Sequence, residues 1–145
     1  MAAKCESTAL KSAKSNSDEK CETKDKKLGI NSAQNSPVVL CKKKTFGAPQ
    51  EGLGAILIRA FFKTLVDLKT KPGKIIFINE GVHLPCFDEQ IIDYCNQLAA
   101  MGVEVLSCGT CLDYFKLLGQ LKAGRVSNMY EIAGSLLEAG NVVEP

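Results

Sequence analysis

The sequence predicts an α/β fold: a mostly parallel sheet of about five strands with helices packed on both of its faces. Three observations predict it. Short apolar runs rich in β-branched residues recur at 37–41, 75–78 and 103–107. Between them, apolar residues return at the three-to-four spacing of a helix. Strand and helix then alternate along the chain, and such an order needs crossovers and therefore parallel pairing.

Each element has a local reason. Pro37-Val38-Val39-Leu40-Cys41 reads as the first strand. The stretch 45–54 carries Gly47, Pro49, Gly52 and Gly54 and reads as a loop. Leu53, Ile56, Leu57, Ala60, Phe61, Thr64, Leu65 and Leu68 predict an amphipathic helix over 53–69 and define its apolar face. Lys71-Pro72-Gly73 breaks it. Ile75-Ile76-Phe77-Ile78 is continuously apolar, as in a strand covered on both faces. Residues 80–87 read as a loop. Asp88 suits an N-cap for a helix to Met101, with Ile91, Ile92, Cys95, Leu98 and Ala99 inward and Gly102 as its stop.

Val103-Glu104-Val105-Leu106-Ser107 is the next strand, followed by Cys108-Gly109-Thr110-Cys111 and a short helix from Cys111 to Leu118. Residues 122–125 turn the chain into a very short strand at Val126-Ser127. Asn128 caps a last helix, with Glu131 at the capping-box position. That helix is expected to bury Met129, Ile132, Leu136 and Leu137 and to stop at Gly140; 141–143 would close the sheet as an edge strand.

Residues 1–36 are rich in Lys, Ser, Glu, Asp and Asn and too poor in apolar groups to offset the entropy of ordering. They read as a disordered polar tail, with a short helix near 6–14 the one element their pattern allows. Residues 37–145 read as a single domain. Residues 1–44 hold ten Lys, no Arg and five acids, for +5, while 45–145 carry −3. The tail's lysines alternate with polar and acidic residues, and no aromatic occurs before Phe46. That is the composition of a solvated segment, so no nucleic-acid partner is expected. No apolar run reaches the length of about 18 residues that a membrane span needs, and the start has no apolar stretch suited to a secretory signal. The chain is therefore expected to be cytoplasmic, with no membrane partner. Its seven cysteines are then expected to be reduced thiols rather than a disulfide framework.

The chemistry concentrates at Cys108-x-x-Cys111. A pair placed between a strand and a helix lies where α/β sheets collect their reacting groups, beyond the carboxyl ends of strands. A helix start favours an anion, and the thiolate is the reactive form of cysteine. Asp113 works mildly the other way, because a carboxylate disfavours a neighbouring thiolate. A thioredoxin-type pair would follow the first strand of its own βαβ unit; this one follows the third. A zinc reading joins His83-x-x-Cys86 to Cys108-x-x-Cys111 as a Cys3His set. The α/β pattern needs no metal to fold, so no metal is expected. Gly52-x-Gly54 lacks the third glycine of a dinucleotide fingerprint, and no P-loop is present, so no cofactor is expected. Cys95 and Cys41 read as packing, and Cys5 and Cys21 as tail thiols.

Several segments carry a resemblance. They are 53–62, Ile76-Phe77-Ile78-Asn79-Glu80-Gly81-Val82, the run from Gly102 through Ser107-Cys108-Gly109-Thr110-Cys111-Leu112-Asp113-Tyr114, and Val126-Ser127-Asn128-Met129-Tyr130. Together they resemble the carboxy-terminal DsrE-like domain of the selenium-metabolism YedF family, over about residues 37–145. The resemblance implies a three-layer α/β/α fold and a homo-oligomer. It implies a persulfide carried on the cysteine that matches Cys108, with Cys111 as the second cysteine. Gly109 and Thr110 would then offer loop N–H groups to the sulfur anion. Proteins of that family also carry an amino-terminal TusA-like domain with a Cys-Pro-x-Pro motif. This chain has no Cys-Pro dipeptide, so a protein donor and acceptor of sulfur or selenium are expected to be separate partners.

Three functions remain open at this point: a sulfur or selenium relay of sulfurtransferase type, a non-catalytic partner- or ligand-binding module, and a dithiol redox switch. For the relay, Cys108 is expected to point outward over the sheet edge, with Cys111 nearer the protein body.

Overall fold

A computed structural model describes residues 36–47 and 52–145. The tail reading over 1–36 lies outside the described residues apart from Ser36. Five strands form one sheet: β1 (Val38–Cys41), β2 (Lys74–Phe77), β3 (Glu104–Cys108), β4 (Arg125–Ser127) and β5 (Val142–Val143). All pairings are parallel, in the order β4-β3-β2-β1-β5. The helices are α1 (Leu53–Asp67), α2 (Leu84–Phe87), α3 (Glu89–Ala100), α4 (Gly109–Tyr114) and α5 (Met129–Leu137), with 3₁₀ turns at Asn79–His83 and Leu118–Gln120.

The strand order decides the layers. The crossovers β1–β2, β2–β3 and β3–β4 all step the same way along the sheet. Right-handed connections therefore put α1, α3 and α4 on one face. The connection from β4 to β5 runs back across the whole sheet, which sends α5 to the other face. Core packing agrees. Val39, Cys41, Ile75, Phe77 and Val105 pack with Ile58 and Phe62 of α1, Ile91 and Cys95 of α3, and Leu112 of α4. Val38, Leu40, Ile76, Leu106 and Cys108 pack with Ile132 of α5. Alternation along each strand divides its side chains between these two cores. Phe77, fully buried, stacks on Phe62 at 5.9 Å between ring centroids.

Capping follows the sequence closely. The Asp88 carboxylate accepts the Ile91 N–H at 3.2 Å and also pairs with Arg59 at 2.8 Å, which ties α3 to α1. Gly102, at φ +93°, ends α3. The Asn128 side chain accepts the Glu131 N–H at 3.0 Å.

Four expectations are corrected. Residues 80–87 are not an open loop but the 3₁₀ turn followed by α2, whose first turn holds Pro85, where a missing N–H costs nothing. The buried face of α1 is Gly54, Ile58, Phe62 and Leu65, whereas Leu53, Ile56 and Leu57 are exposed; two apolar stripes run along this helix, and the sheet takes the one with the phenylalanine that reaches Phe77. In α3, Ala99 is exposed, because the burying stripe ends at Leu98. In α5, Ile132 is buried but Leu137 is 87% exposed and Met129 is 55% exposed. Leu137 lies ~140° around the helix from Ile132 and faces away from the sheet, while Met129 opens the helix.

Candidate functional site

Cys108 ends β3 and is at the same time the N-cap residue of α4, with no connecting loop between them. Gly109 and Thr110 therefore belong to the first turn of the helix, two residues earlier than the sequence pattern indicated. Gly109 sits close against β4: a Cβ on it would lie 3.0 Å from Val126 Cγ1 and 3.3 Å from the Ser127 carbonyl, so a larger residue needs those neighbours to give by a few tenths of an ångström. Thr110 is exposed at the rim. Cys111 completes the turn and packs against the cluster that holds Cys108, whose thiol is near enough to raise that of Cys111. The two sulfurs of the motif thus meet.

A third element joins them. The chain leaves β2 through Asn79, a non-glycine residue in the left-handed region at φ 51°. Its backbone N–H donates to Cys111 Sγ at 3.1 Å. The turn is pinned to the end of β1, since Ile78 N–H donates to the Cys41 carbonyl at 3.0 Å and Gly81 N–H to the Lys42 carbonyl at 3.2 Å. Burial pushes the Cys111 thiol up, the Asn79 N–H pulls it back down, and contact with Cys108 raises it.

Access to the two thiols is the reverse of the sequence expectation. Cys108 is only 1% exposed, because its position in the strand turns it into the core under α5. Among the five described cysteines Cys111 alone is not buried. The other three pack inside. Burial raises all of them: Cys95 is pushed up to about 12, Cys41 is raised further with Cys95 adding to it, and Cys86 is raised with Lys122 partly opposing. They serve as apolar core groups, as expected for Cys41 and Cys95.

His83 and Cys86 do not join the pair as ligands. His83 Nδ1 lies 2.9 Å from the Glu80 carbonyl, and its ring packs against Phe115 at 4.6 Å. Among the described residues no group of three or more His, Cys, Asp or Glu side chains converges on a metal position.

Two features of the site escaped the sequence. Asn79 is one, although an Asn just after a strand is a residue type that tolerates left-handed backbone. The other is a polar cluster beside Cys108. Ser127, its register partner on β4, donates to the Glu131 carboxylate at 2.5 Å. Arg125 also holds Glu131, with one contact at 2.9 Å. These bonds bring the Glu131 carboxyl down to about 2, the Arg125 hydrogen bond acting first and Ser127 next. A separate cavity of about 400 Å³ opens at the opposite, amino edge of the sheet, beside Lys74 and Glu104. Lys74 is already engaged there, 3.0 Å from Glu104 and 3.0 Å from Ser135 Oγ.

No helix among the described residues is long and apolar enough to cross a membrane. No family model matches the chain, and no curated protein matches it. Solved structures do. The ychN protein from E. coli superposes with a TM-score of 0.59 at 17% identity, over 77% of this chain and 99% of that one. Protein MTH1491 from Methanobacterium thermoautotrophicum, described as of unknown function, gives 0.52 at 20% identity, over 77% and 100%. Both are DsrE/DsrF-like folds, and the five-stranded parallel sheet with its flanking helices has the same α/β architecture: this chain has a DsrE-like fold.

Proposed function

We propose that this chain is a cysteine-based carrier of sulfur, or of selenium in the same geometry, of sulfurtransferase type. A persulfide rides on the Cys108/Cys111 pair and passes to a partner protein. The resemblance to the YedF family assigns the carrier position to Cys108. The observation that carries the reading is the contact between the two thiols at the end of β3, with a backbone N–H already donated to one sulfur. A hydrogen bond of this kind favours the anionic form on which sulfur transfer depends. The three other described thiols are buried in the core, where burial raises each of them; at Cys111 burial also raises the thiol, and the Asn79 N–H opposes that rise.

The transfer is balanced without an external oxidant. A thiolate of the pair attacks the outer sulfur of a donor persulfide, that S–S bond breaks, and the donor leaves as a thiol. Attack by the second thiol on the first sulfur then releases hydrogen sulfide and leaves a Cys108–Cys111 disulfide. The same pair favours a second reading, a dithiol switch that forms the disulfide by thiol–disulfide exchange with an external disulfide, which is reduced to two thiols, and carries no sulfur. Intact mass after incubation with a cysteine desulfurase and cysteine separates them. The carrier gains about 32 Da, one sulfur atom, and the Cys108→Ser/Cys111→Ser double variant does not. Absence of the adduct at every time point, on the wild type and on both single Cys→Ser variants, would remove the carrier reading.

A further inference from the structure

We infer that Cys111 is the thiol that first receives the sulfur, and that Asn79 is the positioning residue that holds its sulfur through a left-handed backbone. The inference rests on the carrier reading and assigns the order of events within it. Sulfur arrives at the half-buried Cys111 and moves inward to the buried Cys108.

The geometry of Asn79 is specific. At φ 51° it is one of two non-glycine residues with positive φ among the described residues; the other, Lys116, lies just beyond the end of α4. Left-handed backbone persists at a non-glycine residue when its surroundings over-determine it. Here they do. Gly81, two residues on, is pressed so closely against β1 that a Cβ would lie 2.2 Å from the Cys41 carbonyl oxygen. Its N–H bonds to both Lys42 O and Ile78 O fix the turn. In consequence the Asn79 N–H points at Cys111 Sγ.

The groups that act on the Cys111 sulfur are this N–H, from the turn after β2, and the Cys108 thiol, from β3. On its own helix, the exposed Asp113 carboxylate is paired with Lys116 at 3.6 Å. The receiving step uses one thiolate and one donor persulfide. Cys111 Sγ attacks the outer sulfur, a new S–S bond forms on Cys111, and the donor departs as a thiol. Cys108 then takes the same outer sulfur, and Cys111 is returned as a thiol. No net oxidation occurs in either step.

The test is alkylation of the full chain with iodoacetamide across pH, read by peptide mass mapping. Cys111 is expected to react at least about tenfold faster than Cys108, since access and thiolate fraction both set such rates. Asn79→Gly, which accepts left-handed backbone, should keep the pH midpoint of Cys111. Asn79→Val, whose β-branched side chain rejects it, should raise that midpoint by about one unit, a tenfold loss of rate at fixed pH below it. Asn79→Ala should give a smaller shift in the same direction, and it serves if the Val variant fails to fold. Faster labelling of Cys108, or a wild-type profile in the folded Ala and Val variants, overturns the inference. Failure of both the wild-type chain and Cys108→Ser to gain about 32 Da from a low-molecular-weight persulfide at any time point instead removes the carrier reading and leaves the labelling order as measured.

Discussion

Ser127 donates its hydroxyl to the Glu131 carboxylate at 2.5 Å, and Ser127 is the residue paired in register with Cys108. The wall beside the buried thiol is thus tied to the first turn of α5 by one carboxylate. That carboxylate also holds Arg125.

A pH dependence follows from the pair. The Glu131 carboxyl is held down to about 2, chiefly by Arg125 and then by Ser127. A depressed carboxyl stabilises the fold fully above its ordinary range, and that contribution drains away as pH falls toward its folded value. Thermal melts of the wild type and Glu131→Gln should therefore differ most above about pH 5 and converge between about pH 4 and pH 2. A gap that is constant with pH would mean that the charge contributes nothing.

Phe77 tests the layering. Its side chain is fully buried in β2, between β1 and β3, and stacks on Phe62 at 5.9 Å. Phe77→Ala should cost about 3–5 kcal/mol in denaturant unfolding, because the cavity is walled by strands and by α1 and cannot collapse. A loss under about 1 kcal/mol would contradict that enclosure.

The turn that carries Asn79 can be probed through its glycine. A Cβ at Gly81 would meet the Cys41 carbonyl oxygen at 2.2 Å, which is backbone and cannot swing aside. Gly81→Ala should destabilise by about 1–3 kcal/mol or more. Gly119 has nothing within 4 Å of its Cβ position, and Gly119→Ala should stay within about 0.5 kcal/mol of wild type. Equal effects in the two melts would show that the close approach at Gly81 is not a constraint.

The sheet was legible because parallel strands buried on both faces read as plain apolar runs. The runs 37–41, 75–78 and 103–107 each contain or overlap a strand, and even β4 and β5 were visible. The caps at Asp88 and Asn128 were legible because capping is local chemistry. The phase of α1 was not. Ile56 and Phe62 both lie at helical spacing, and only the position of Phe77 across the layer decides which stripe is buried. The CxxC was legible as a site, yet the accessibility of its two thiols was not. Cys108 faces the core because strand alternation puts it on the α5 side with Leu106, and that side is fixed by a crossover from β4 to β5 that no local pattern reveals. Asn79 was illegible for a similar reason: its neighbour in space is 32 residues away in sequence.

Serine substitutions separate the two thiols in time. With sulfur arriving at Cys111, Cys111→Ser leaves only a thiol that is 1% exposed. Its persulfide should therefore form at least about tenfold more slowly than in the wild type, since access enters directly into the rate of thiol exchange. Cys108→Ser keeps the accessible thiol and its Asn79 N–H. It should load at close to the wild-type rate and then hold the adduct, because no second thiol remains to take the outer sulfur or to release it as sulfide. The wild type should show the adduct of about 32 Da transiently, followed by a species about 2 Da lighter than the starting chain, the internal disulfide. Intact mass against time, after a short pulse of desulfurase and cysteine, reads all three. If Cys108→Ser cannot be loaded while Cys111→Ser loads normally, the donor reaches Cys108 directly and the order is reversed. If both single variants load and release like the wild type, neither thiol acts on the other, and the contact between their sulfurs is packing alone.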